Sequence, residues 1–148
     1  MKFYILIMML FISLSAYAGK EVVVESSETT TTPGIGGNAQ VGFAFAKGDV
    51  ISIDAHASKQ LERMLAFIYP ENIICRIKYK KNIHYSFTMP EDGIVIFRFI
   101  SDQGGTNTIK YDITRTPATD ATRNYDTHIQ WKSPADHVGN AVPYRVAK

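Results

Sequence analysis

"IICRIKYKKNIHYSFTMPEDGIVIFRFI", residues 73–100, is the stretch on which the fold class rests. Its apolar residues recur at every second position: Ile73, Cys75, Ile77 and Tyr79, then Ile83, Tyr85, Phe87 and Met89. A β-strand sends alternate side chains to opposite faces, so each set shares one face, while Arg76, Lys78, Lys80, His84, Ser86 and Thr88 take the other. A helix would need apolar residues three and four apart. The pattern predicts two antiparallel strands joined through Lys80-Lys81-Asn82, apolar inside and polar outside. Pro90 and Asp92-Gly93 supply a turn in which Gly93 takes a positive φ, and "IVIFRFI" follows as a third strand.

The same period extends in both directions. Val41, Phe43 and Phe45 alternate with smaller residues, "KGD" turns the chain, and Ile51, Ile53 and Ala55 follow on one face, the pattern of a hairpin. "LERMLAFIYP" fits helix and strand periods in part; its aromatics, Pro70 and the β surroundings favour a strand from Met64 to Tyr69. Downstream, "DQGG" turns the chain, "GGTN" reads as part of a hairpin turn, and Ile109, Tyr111 and Ile113 continue inward until Pro117. "NYDTHIQWK" places Tyr125, Thr127, Ile129 and Trp131 on one face, and Tyr125 and Trp131 are expected to line the core. About eight strands between Gln40 and Lys132 and no helix, with Val22 to Val24 as a further edge-strand candidate, predict an all-β, antiparallel β-sandwich of jelly-roll type. It is expected over residues 40–132, after a flexible lead-in at 19–39 and before an irregular tail at 133–148.

The first residues carry an address. Lys2 precedes an apolar run from Phe3 to Leu14, and Ala16-Tyr17-Ala18 offers small residues for signal peptidase. Residues 1–18 are read as a signal peptide cleaved near Ala18, giving a secreted or periplasmic product with no membrane span. The remaining chain suits one domain with one core. Its net charge is close to zero, +2 before cleavage removes Lys2, so no global field draws it to nucleic acid. Cys75 is the only cysteine and cannot form an intramolecular disulfide; its phase puts it inside as a small apolar residue.

"FAFAKGDVISIDA" followed by "YSFTMPEDGIVIFRFISDQGGTNTIKYDITRTP" resembles secreted bacterial β-sandwich accessory modules, the pre-peptidase C-terminal-like domains and the GOLD-type sandwiches. The resemblance runs from Val41 to Pro117 and rests on turn chemistry and alternation. It implies a sandwich fold and a noncatalytic role.

Motifs for chemistry are sparse. His56, His84, His128 and His137 lack metal-ligand spacing, "GIGGN" lacks the lysine of a phosphate loop, and no Gly-x-Ser-x-Gly occurs. No cofactor is called for, although the turn carboxylates Asp49, Glu91, Asp92 and Asp102 are oxygen donors of the kind calcium takes. Two surfaces stand out. Arg76, Lys78 and Lys80 on one strand, Lys81 in the turn and His84 on the next form a basic face for an anionic glycan, a lipid headgroup or an acidic partner; the alternative is that lysines guard a sheet edge. Ile94, Ile96 and Ile100, opposite the core face of Val95, Phe97 and Phe99, form a second apolar face that a lid or a partner chain must cover. The sequence thus favours an exported, noncatalytic binding or adhesion module with a glycan or protein ligand. The alternatives are a small hydrolase assembled from distant histidines and carboxylates, and a structural or inhibitory protein that oligomerises through the isoleucine face.

Overall fold

The computed structural model describes residues 19–119, 127–132 and 142–145. The regular structure is strand: β1 (Val22–Thr30), β2 (Asn38–Phe45), β3 (Val50–Ile68), β4 (Asn72–Thr88), β5 (Gly93–Ser101), β6 (Thr108–Thr116), β7 (Ile129–Lys132) and β8 (Val142–Arg145). Among the described residues every strand pairing is antiparallel. No helix among the described residues is long and apolar enough to cross a membrane. The signal segment 1–18, Tyr125, His137 and the side chain of Trp131 lie outside the described part.

Six strands form one sheet in the order β1-β6-β3-β5-β2, with β4 also paired to β3. The first half of β3, Val50 to Ala57, pairs with β6, and its second half, Leu61 to Ile68, pairs with β5. β4 runs along the opposite edge of both halves. The sheet therefore has two wings that share β3 and β4, a β6 wing and a β5 wing, and it curls so that they face each other. Phe99 on β5 and Tyr111 on β6 stack at 6.3 Å although β3 lies between their strands. Phe87 on β4 and Phe97 on β5 likewise meet at 6.5 Å across β3. The core between the wings is built from the period-two residues, including Phe45, Ile51, Ile53, Phe97, Phe99 and Ile109, all inaccessible to solvent. Each such side chain contributes about 1.5–3 kcal/mol by leaving water.

The curl is made at one bend. Between the pairs His56–Asn82 and Leu61–Lys80, β3 carries several more residues than β4, so its extra length bulges out. Asn107, fully buried, clasps the bulge: its Oδ1 accepts from Ser58 Oγ and Lys59 N at 3.0 Å each, and its Nδ2 donates to Lys59 O at 2.8 Å. On β4 the bend falls at Tyr79, which has φ 53.

This architecture corrects the expected connections. Asn72–Thr88 is one bent strand, not a hairpin through Lys80-Lys81-Asn82, a segment without the glycine that a tight hairpin favours. Residues 51–68 are likewise one strand. "KGD", "PEDG" and "DQGG" do not close hairpins, because β2 and β3, β4 and β5, and β5 and β6 are not paired with each other. They carry the chain from one wing to the other. Gly93 does not take a positive φ; it is needed for close approach, since a Cβ there would lie 2.8 Å from Ile68 Cγ2. Ile73 and Tyr79, expected inside, are 52% and 61% exposed: a register shift opposite Ala66 and Phe67 turns Ile73 to the outward face, and Tyr79 lies at the bend. β1 continues through Thr30, well beyond Val22 to Val24, as β-branched Thr and Ser residues pair with β6 at the sheet edge. Within residues 133–148, β8 pairs with β7.

Candidate functional site

Cross-strand register aligns the outward side chains of the β5 wing into rows. From β2 through β5 and β3 to β4 these are Asn38–Ile100–Arg63–Lys78, Gln40–Arg98–Leu65–Arg76 and Gly42–Ile96–Phe67–Ile73. Four cations, Arg63, Arg76, Lys78 and Arg98, therefore share one face beside an apolar strip of Leu65, Phe67 and Ile73. Arg63 has an acidic neighbour, Glu62, at 3.3 Å. Arg98 stands over the Phe67 ring with Cζ 5.2 Å from its centroid and donates from Nη2 to Gln40 Oε1 at 3.0 Å. Burial lowers the Arg98 pKa, a pull that a bound anion would oppose. A cavity of about 210 Å³ lies beside it, lined by Leu65, Phe67, Pro70, Glu71, Ile73 and Arg98.

The expected basic residues divide between the wings. Arg76, Lys78 and Lys80 are exposed on the outward phase of β4, and Lys81, although in the inward phase, is exposed at the bend. None of these four makes an ion pair with a described residue. His84 belongs to the β6 wing, where Nδ1 lies 2.5 Å from Asp54 Oδ1, so its surroundings are partly acidic. Sequence reading missed Arg63 and Arg98 as members of the basic face. Both occupy the outward phase, but only the pairing of β3 with β4 and β5 brings them beside Arg76 and Lys78.

The outward face of the β6 wing is polar along its middle, with Val23 and Val50 exposed toward one end. Its central rows, from β1 through β6 and β3 to β4, are Ser26–Asp112–Asp54–His84 and Glu28–Lys110–His56–Asn82. Ser26 Oγ donates to Asp112 Oδ1, and His56 Nδ1 contacts Asn82 Oδ1. Histidines and carboxylates distant in sequence thus do converge, but in the open: the His84 and Asp54 side chains are 73% and 60% exposed.

Of the isoleucine face, Ile96 is only 2% exposed and Ile94 and Ile100 are half-buried, so Ile96 offers no free docking surface in this chain. Among the turn carboxylates, Asp49 is buried against Arg115 and Asp92 Oδ1 accepts from Lys47 N at 2.7 Å. No group of three or more His, Cys, Asp or Glu side chains among the described residues is placed to hold a metal ion. Cys75 is half-buried, and burial pushes its thiol pKa up, away from the thiolate a nucleophile needs.

No family model matches this chain, and no curated protein matches it. Among solved structures it is similar to a family two carbohydrate esterase from Cellvibrio japonicus, at 18% identity and TM-score 0.39 over 69% of this chain and 32% of the esterase, so it spans about a third of that protein. It is also similar to the Yersinia pseudotuberculosis-derived mitogen, at 13% identity and TM-score 0.41 over 74% of this chain and 95% of the mitogen. A third is the C-terminal CBM6 of LamC, a marine laminarinase from Zobellia galactanivorans, at 14% identity and TM-score 0.39 over 68% of this chain and 93% of the module.

Proposed function

We propose that this chain is an exported, noncatalytic binding module whose β5 wing takes an anionic glycan. In this reading residues 1–18 direct export and are removed near Ala18, and the curled sheet is a sandwich of jelly-roll type. One observation carries the choice of ligand: Arg63 and Arg98 lie on interior strands of the sheet. Edge protection accounts for Lys78, Lys80 and Lys81 on β4, but β3 and β5 have partners on both sides and no edge to guard. Arg63 directly opposite Lys78 costs stability, a cost that a bound carboxylate or sulfate reverses. Leu65 and Ile73 beside the cations give the carbon face of a sugar ring somewhere to pack. The exposure of His84 and Asp54 favours binding over hydrolysis, because general acid–base groups work where water is excluded.

The test is retention of residues 19–148 on immobilised polygalacturonate and dextran sulfate, with uncharged dextran as control. Retention on the anionic polymers should fall steeply with salt, and the Arg76→Glu/Lys78→Glu double variant should weaken it by roughly tenfold or more. Unchanged retention of that variant on the anionic polymers, or retention there that does not fall with salt, overturns the reading.

A further inference from the structure

The β6 wing carries a polar array that the anionic-ligand reading does not use. Its two rows set Asp54 directly opposite Asp112, with Lys110 and His56 one row away. Two carboxylates side by side on a sheet face repel each other. The side chains are held in place at the ends of the rows: Ser26 bonds Asp112, His84 lies against Asp54, and His56 lies against Asn82. Lys110, in the middle, makes no ion pair with a described residue. The surface between them carries two shallow, open hollows. A hollow of about 330 Å³ is lined by Asp54, His56, Asn82, His84, Lys110 and Asp112. A neighbouring hollow of about 350 Å³ shares Lys110 and Asp112 and continues to Ser26 and Glu28 on β1. Together they make a shallow trough that runs across four strands, a length of about 14 Å at the ordinary strand spacing.

We infer that this trough is a second binding site, for an uncharged glycan chain. Each strand crossed adds another pair of outward polar side chains, so donors and acceptors recur along the trough at the strand spacing, about 4.8 Å. A pyranose chain presents hydroxyls at a comparable repeat. Asp54 and Asp112 accept from adjacent hydroxyls, while Lys110 and Asn82 donate to hydroxyl and ring oxygens. Among the carboxylate and ammonium groups, Asp54, Asp112 and Glu28 outnumber Lys110, so the trough disfavours the anionic polymers assigned to the β5 wing. Because Asp54, Asp112 and His56 already have side-chain partners, the ordering entropy lost on binding falls mainly on Lys110.

Calorimetric titration of residues 19–148 with cellohexaose, mannohexaose and xylohexaose tests this, with a glucosamine hexamer as the charged comparison. At least one uncharged hexamer should bind with an affinity that persists in about 0.5 M salt, where surface charge effects are largely screened. Asp54→Asn and Asp112→Asn should each weaken binding by roughly tenfold, while Tm stays level or rises as the carboxylate repulsion is relieved. The Arg76→Glu/Lys78→Glu variant should bind these hexamers like the parent, so failure of the anionic reading and failure of this one are separable. Absence of binding to every uncharged hexamer, unchanged affinity in both Asp variants, or salt-sensitive binding of the glucosamine hexamer alone overturns the inference.

Discussion

Arg115 on β6 donates from Nε to Asp49 Oδ2 at 2.6 Å, with the Arg115 and Asp49 side chains 3% and 0% exposed. Asp49 sits in the connection between β2 and β3, where its Oδ2 also accepts from Ala46 N at 3.0 Å and its Oδ1 from Ala118 N at 3.1 Å. One carboxylate thereby ties the β2–β3 connection to the end of β6. Breaking a buried pair leaves the other charge without compensation, which costs about 3–5 kcal/mol. Asp49→Ala is expected to lose that much in urea denaturation; a loss below about 1 kcal/mol would show that the pair does not hold the connection.

The strands were legible in the sequence because period-two alternation reports which side chains leave water, and Ile51, Ile53, Val95, Phe97, Phe99, Ile109 and Ile113 all do so. The connections were not. "KGD" and "PEDG" carry the same Gly and Asp chemistry whether they close a hairpin or pass the chain to the other wing, and local composition cannot tell the two apart. The candidate surfaces suffered likewise: Arg76 and Lys78 were visible as neighbours along β4, whereas Arg63 and Arg98 join them only through register. The Asp54–Asp112 pair, two strands far apart in sequence, left no local signal at all.

Asn107 is the clasp of the bend, and its substitution tests how the curl is held. Asn107→Ala leaves Lys59 N and Lys59 O without their side-chain partners in a part-buried site. Each lost partner costs about 1–3 kcal/mol. We expect a drop of about 2–4 kcal/mol in stability, with amide exchange speeding up at Ser58 and Lys59 before the strands open. Exchange that accelerates uniformly along the chain would refute a local clasp.

Ile96 separates packing from association. At 2% exposure it belongs to the interior of the chain, so Ile96→Ala should lower stability by about 2–5 kcal/mol, the range for large-to-small core changes. The mass in sedimentation equilibrium should match that of the parent. A variant as stable as the parent but of lower mass would restore the isoleucine face as an interface between copies.

Tyr111 should make stability fall in alkali. Its ring is buried against Phe99 and its hydroxyl donates to Glu25 Oε2 at 3.2 Å. Burial first, and the negative charge of Glu25 second, push its pKa from 10.0 up to about 12. Below about pH 10 the phenol is protonated in the folded and unfolded chain alike, and no difference arises. Between about pH 10 and 12 the folded chain retains a proton that the unfolded chain has released, so unfolding is favoured as pH rises. Denaturation across this window should show a steeper loss of stability in the parent than in Tyr111→Phe, and phenolate absorbance of the folded parent should include one late-titrating tyrosine that the variant lacks. Equal slopes with no late-titrating group would mean that the phenol reaches water in the folded chain.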